Sequence, residues 1–351
     1  MKTSRRMKVP VVIVAALIVG GCGAYAQPYA TAPLNPAQQL AQGFPAPLQA
    51  PLGVRSSRQR SWMAPDAKHK QRLLYVADEA TGDVNVYDYP NGKLEGTLTG
   101  FNAPSGMCTN KAGEVFILNG GGFTIDVYAH GGSVPIRTLE LPGYPEFTCS
   151  VDPTTGNLGL GTFDGSCGEC AGLIVVFADA QGTPTTYQPS GQIGFPGCGY
   201  DEHGNLYCNA YSSDDHKFLL FELPNGSTNV GQIAVSGSSS LKAGPVQWDG
   251  EYLAIGSGAV GTIYQIALSG STGSVEGSTQ LDGTGWVWQF WITKLGPQNR
   301  LRQGKRIVAP TYGGSNSEVG YWQYPAGGDA TFAITGFAQP DGATISTLKE
   351  Q

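Results

Sequence analysis

One phrase returns six times in this chain and restricts its fold more than any other feature. An apolar residue and an aromatic lead through one variable residue into a turn rich in Gly or Pro. The copies run from Val86 (VYDYPNG), Val127 (VYAHGG), Val176 (VFADAQG), Leu220 (LFELPNG), Ile263 (IYQIALSG) and Tyr321 (YWQYPAGG). Their aromatics Tyr87, Tyr128, Phe177, Phe221, Tyr264 and Trp322 lie 41, 49, 44, 43 and 58 residues apart. A second series of apolar strands, starting at Leu74, Val115, Leu158, Leu206, Tyr252 and Arg306, keeps step at intervals of 41, 43, 48, 46 and 54. A third series precedes it at Gly106, Phe147, Gly197 and Pro245, and a more variable strand follows each phrase, as at Lys93 and Val134. Four strands per repeat at this period predict an all-β, six-bladed propeller of four-stranded antiparallel blades.

The first blade starts at its second strand, since nothing like Gly106-Met-Cys-Thr-Asn110 precedes Leu73. The missing inner strand stands at the other end of the chain. Pro340 to Ser346 (PDGATIS) resembles Pro104 to Asn110 (PSGMCTN). Residues Gly342–Thr347 are therefore expected to pair beside Leu73–Asp78 and close the ring, which removes two exposed sheet edges. The turn between first and second strands, Asp201-Glu-His-Gly-Asn205, carries a resemblance over residues 73–351 to the NHL-repeat and gluconolactonase-like six-bladed propellers. That resemblance implies the fold. It also implies that a metal-dependent lactonase or hydrolase site in the channel is an alternative function, although the spaced Glu, Asn and Asp set of a lactonase is missing.

The ends of the chain differ in charge. Residues 1–72 hold ten Lys and Arg against Asp66 alone, whereas residues 73–351 hold 11 against 26 acids, a net of −15. So acidic a body repels phosphate backbones and excludes nucleic acid as a partner. Lys2, Arg5, Arg6 and Lys8 precede an apolar run from Val9 to Val19, which is too short to span a bilayer and reads as a signal peptide. Two cleavage sites compete. Val19-Gly-Gly-Cys22 resembles a bacterial lipobox, with Cys22 as the lipid attachment site, and Ala24-Tyr-Ala26 fits ordinary signal peptidase. The chain is expected to divide into a signal peptide with lipobox (1–22), a Pro-, Ala- and Gln-rich tether (23–71) and the propeller (72–351). The expected address is the cell envelope through a lipid anchor, with a secreted or periplasmic soluble form as the alternative.

Six of the seven cysteines follow Cys22. An even number in an exported chain suggests disulfides. Cys167 with Cys170 is expected to form a local bridge, and Cys149 with Cys198 a bridge between blades, which leaves Cys108 or Cys208 free and buried. No helix follows Cys167-Gly-Glu-Cys170 to lower a thiol pKa for redox work. Gly256 to Gly261 spells GxGxxG but leads into a strand, so it lacks the helix amino terminus that cradles phosphate. The four histidines show no metal-ligand spacing, and no catalytic set is legible. The turn acids Asp152, Asp201 and Asp249 are read as turn formers that accept backbone N–H groups, with a divalent-cation ring as the other reading.

Two stretches remain as candidate contact surfaces. Trp286-Val-Trp-Gln-Phe-Trp291 is expected to be the inner strand of the sixth blade. Its residues Trp286, Trp288 and Trp291 either fill the core or form a ligand platform near the channel mouth. Lys294, Arg300, Arg302, Lys305 and Arg306 form a basic loop that either stays solvated or contacts an anion. The expected function is a monomeric binding or scaffold module, with no cofactor and no metal, for an envelope protein or glycan.

Overall fold

The computed structural model describes residues 60–163, 172–192, 194–212, 214–215, 217–257, 260–294, 304–313 and 317–348. Cys22, Cys167, Cys170, Arg300 and Arg302 lie outside these residues, as does the tether before residue 60. Short strands rich in β-branched and aromatic residues follow one another across tight turns. They are β1 (Trp62–Met63), β2 (Arg72–Asp78), β3 (Asp83–Asp88), β4 (Lys93–Thr99), β5 (Pro104–Thr109), β6 (Val115–Asn119), β7 (Thr124–Tyr128) and β8 (Pro135–Glu140). Then come β9 (Tyr144–Val151), β10 (Leu158–Phe163), β11 (Ile174–Phe177), β12 (Thr185–Tyr187), β13 (Gly197–Tyr200), β14 (Leu206–Tyr211), β15 (Phe218–Leu223) and β16 (Gly231–Ser236). The chain ends with β17 (Val246–Trp248), β18 (Leu253–Ser257), β19 (Thr262–Ser269), β20 (Thr272–Gln280), β21 (Trp291–Lys294), β22 (Lys305–Thr311), β23 (Glu318–Tyr324), β24 (Gly327–Thr335) and β25 (Pro340–Thr347).

These strands make an all-β propeller. The inner strands β25, β5, β9, β13 and β17 neighbour one another in that order, β21 lies beside β25, and the sheets stack face to face. Alternation along β2 shows how the stack is built. Tyr75 packs one way with Met107 and Ile117, and Leu74 and Val76 pack the other way with Val319 and Tyr321. The ring closes as the PDGATIS segment predicts: β25 runs antiparallel to β2, with Tyr75 opposite Thr344 and Val76 opposite Ala343. Glycine is required on β25 because a Cβ at Gly342 would sit inside the carbonyl oxygen of Ser105 on the next inner strand.

The sheets depart from the repeat in two places. Strands β13 to β16 and β17 to β20, expected as separate blades, share one eight-stranded sheet. The β19–β20 hairpin overhangs β18, which pairs only with Thr262 to Ile266. The overhanging Thr272–Ser274 then pairs in parallel with Ala234–Ser236 at the free edge of β16. Neither segment carries a charge or a Pro that would block such an edge. The other departure is at the amino-terminal side, where the tether expected to reach Gln71 ends early. Trp62 and Met63 add a fifth strand to β4, opposite Thr97 and Gly96. The Ser61 hydroxyl accepts the Thr99 N–H at 2.9 Å, and Ala67 is fully buried.

Two disulfides are present among the described residues, and their pairing corrects the expectation. Cys149 bonds to Cys108, joining β9 to β5, and Cys198 bonds to Cys208. Cys198 stands directly opposite Cys208 in the β13–β14 ladder, with Cα atoms 4.1 Å apart, so the cross-strand thiol takes it first. Cys149 is then left to its other neighbour, whose Cα lies 5.5 Å away. Neither Cys108 nor Cys208 is free.

A buried acidic group sits at the ring closure. Burial raises the Asp341 pKa well above the usual carboxylate range, helped by its hydrogen bond to Glu79 and by the charges of Glu79 and Asp78. The unfolded chain ionises this group near pH ~4. Its contribution to stability is therefore whole below that pH and is lost as pH rises through the folded pKa. Asp249 acts in the opposite sense. Burial opposes its ionisation, but hydrogen bonds from Tyr324 and from the Tyr252 and Glu251 N–H groups prevail and hold it low. The melting temperature is expected to rise from neutral to mildly acidic pH before strong acid unfolds the protein. Asp341→Asn should flatten that rise and raise the neutral-pH value. A flat profile unaffected by D341N in a calorimetric pH series would contradict this.

Candidate functional site

A blind depression of about 230 Å³ opens at the channel mouth, on the side of the turns between first and second strands. Its floor is set by one side chain. Gln289 is only 2% exposed and precedes β21. Its Oε1 accepts the N–H groups of Met107 at 3.0 Å and Ala343 at 2.9 Å, and its Nε2 donates to the Met107 carbonyl. The side chain thus satisfies backbone groups on β5 and β25 and forms the bottom of the depression. Gln289→Leu keeps the volume but leaves those buried groups unpaired, so a loss of about 2–3 kcal/mol is expected in denaturant unfolding.

No backbone ladder joins neighbouring inner strands among the described residues, and polar side chains link them instead. The Gln247 amide donates to the Ile292 carbonyl at 3.2 Å and accepts the Ile292 N–H at 2.7 Å, joining β17 to β21. Thr148 accepts the Cys198 N–H, Ser150 accepts the Tyr200 N–H, and Thr109 donates to the Ile345 carbonyl. Gln247, Thr148, Ser150 and Thr109 line the wall, each with at least one polar atom engaged by a neighbouring inner strand.

Above them stand Tyr200, Trp248, Phe290 and Trp291. Tyr200 and Trp248 are the last residues of their inner strands, each just before a turn acid. Asp201 Oδ1 accepts the N–H groups of His203 and Asn205, and Asp249 Oδ1 accepts those of Glu251 and Tyr252. Asp152 does the same for Thr154. Each turn acid therefore holds its own turn, and Asp201 and Asp249 fix the aromatics before them, Tyr200 and Trp248. Glu202, exposed on the rim, accepts the Trp248 indole N–H at 2.8 Å. Burial and the charge of Asp152 push the Tyr200 phenol up, so it stays neutral. Among the described residues no three His, Cys, Asp or Glu side chains are placed to share a metal ion.

The tryptophans, read as core or as a platform, stand apart in two places. Trp286 exchanges backbone hydrogen bonds with Tyr312, and its ring stacks on Trp288 at 4.9 Å and 10°, while Trp291 faces the mouth. Strand β21 begins only at Trp291, because the segment before it is drawn to the axis by Gln289 and not into the β22 ladder. Of the basic stretch, only Lys294, Lys305 and Arg306 are among the described residues. Lys305 pairs with Asp249 at 3.2 Å and lies over the Tyr324 ring. Arg306 lies beside Tyr89, and Lys294 pairs with Lys305 through the backbone. Sequence reasoning missed Tyr200, Glu202 and Trp248 as mouth residues, although their place beside the repeated turn acid was a usable signal.

Among the described residues no helix is long and apolar enough to cross a membrane. No family model matches the chain, and no curated protein matches it. Solved structures do. A chain of the nidogen/laminin complex covers 79% of this chain and 99% of its own length, with a TM-score of 0.59 at 13% identity. A protein of unknown function from Bacteroides caccae covers 79% and 99%, with a TM-score of 0.53 at 12% identity. At such identities the likeness concerns the fold alone, and that fold is the β-propeller.

Proposed function

We infer that the chain is an exported binding module, a six-bladed propeller of the NHL-repeat kind that its turns resemble, held at the cell envelope by a lipid on Cys22. Counting each antiparallel half of the eight-stranded sheet as one blade gives six, one for each copy of the repeated phrase. The observation that carries the binding reading is the mouth, where aromatic walls stand above a floor sealed by Gln289. A closed floor suits a surface that receives part of a partner better than a conduit. The basic, apolar leader and the lipobox support the address, and the two disulfides agree with an oxidising compartment.

Two measurements test this. Mass spectrometry of the mature protein should find a diacylated Cys22, and an unmodified start at Gln27 would remove the anchor. Cross-linking on intact envelopes from a photoreactive residue at Val151, beside the mouth, should give a discrete adduct. The same residue at Asp329, on the outer strand β24, should not, and adducts at both sites alone would remove the mouth as the binding surface.

A further inference from the structure

We propose that the channel mouth recognises a cation, the guanidinium or ammonium group of an Arg or Lys side chain on a protein partner. This rests on the reading of the mouth as the binding surface. Three observations carry it. Tyr200, Trp248 and Trp291 line one small depression, and aromatic faces attract cations through their quadrupoles. The Glu202 carboxylate stands exposed on its rim, the buried Asp201 carboxylate adds negative charge behind it while its oxygens hold the turn, and no Lys, Arg or His lines it. Finally, the two amides in the wall are each pinned to backbone by one N–H, Gln247 at the Ile292 carbonyl and Gln289 at the Met107 carbonyl, which leaves at most one N–H apiece for an anion or a sugar.

Two basic side chains lie beside the lining, and the ammonium of one is already hydrogen-bonded. Lys111 donates from its Nζ to the Pro153 carbonyl at 2.6 Å, and His203 stands 4.0 Å from Asp201. Glu202 has a double part: one oxygen holds the Trp248 indole at 2.8 Å, and its charge faces a cation that enters beside that ring. The surrounding body carries a net charge of −15 over residues 73–351, which draws a basic partner from a distance.

The test uses the propeller with its disulfides intact and tryptophan fluorescence as the readout. N-acetyl-arginine amide is titrated against N-acetyl-citrulline amide, which has nearly the same shape and no charge. Saturable quenching by the arginine derivative alone is expected, weakening with added salt. Glu202→Gln and Trp248→Leu should each weaken it about tenfold, with a cooperative melt in both variants showing that the fold is intact. Equal quenching by citrulline, or arginine binding that neither variant alters, overturns the proposal. No response to arginine or lysine derivatives at millimolar concentration overturns it as well. A neutral or anionic probe that quenches in the wild type but not in Trp248→Leu would refute the cation yet keep the mouth. An envelope adduct from Val151 that persists in Glu202→Gln would do the same.

Discussion

A chain ending at Gln339 should not fold. It lacks β25, and with it the pairing of Leu73, Leu74, Tyr75 and Val76 with residues Ala343 to Ser346. Ile345 and Ala343 leave the core shared with Tyr321, and Leu74 and Val76 lose their cover. Each large apolar group uncovered costs roughly 2–3 kcal/mol. Their sum matches the whole stability of an ordinary domain, about 5–15 kcal/mol. The Gln289 amide also loses a partner at Ala343. The expected outcome is loss of near-UV circular dichroism and of a cooperative melt. A gentler variant keeps the strand: Gly342→Ala forces a methyl into the Ser105 carbonyl and should cost about 1–3 kcal/mol. A truncated chain that melts cooperatively, or a fully stable G342A, would refute the closure as the main clamp.

The second large effect concerns the bridge between neighbouring inner strands. Cys108 and Cys149 close a loop of 41 residues, which in the chain-entropy treatment is worth about 4 kcal/mol. Cys198 and Cys208 close a loop of ten and are worth about 2.7 kcal/mol in the same treatment. The double variant Cys108→Ser with Cys149→Ser should therefore lower the denaturant midpoint more than Cys198→Ser with Cys208→Ser. The reverse order, or no change in either, would show that the bridges confirm an arrangement already fixed by packing.

The fold was legible where one residue answers a constraint that every unit repeats. Pro340 to Ser346 could be matched to Pro104 to Asn110 because inner strands approach each other closely and admit only small residues at the contact, as Gly342 shows. The disulfide partners were not legible. Cys108, Cys149 and Cys198 hold equivalent positions, so spacing cannot choose among them, and the choice falls to Cys208 across the ladder. Trp286 to Trp291 alternates like a strand, but Gln289 answers backbone groups on two distant strands, and no local pattern records that demand. The shared eight-stranded sheet escaped notice for a similar reason, since it depends on how far one hairpin overhangs its own blade. The mouth lay in plain view beside the turn acids. A period of 40-odd residues tells which positions are equivalent, but not which of them look into the channel.

The fifth strand of the first sheet has a directional consequence. β4 runs away from the face that bears the mouth, and β1 is antiparallel to it, so the polypeptide reaches Ser61 on the opposite face, beside Thr99. A propeller held from its amino-terminal side is therefore gripped by its back. The first described residues and the mouth thus lie on opposite faces of the propeller.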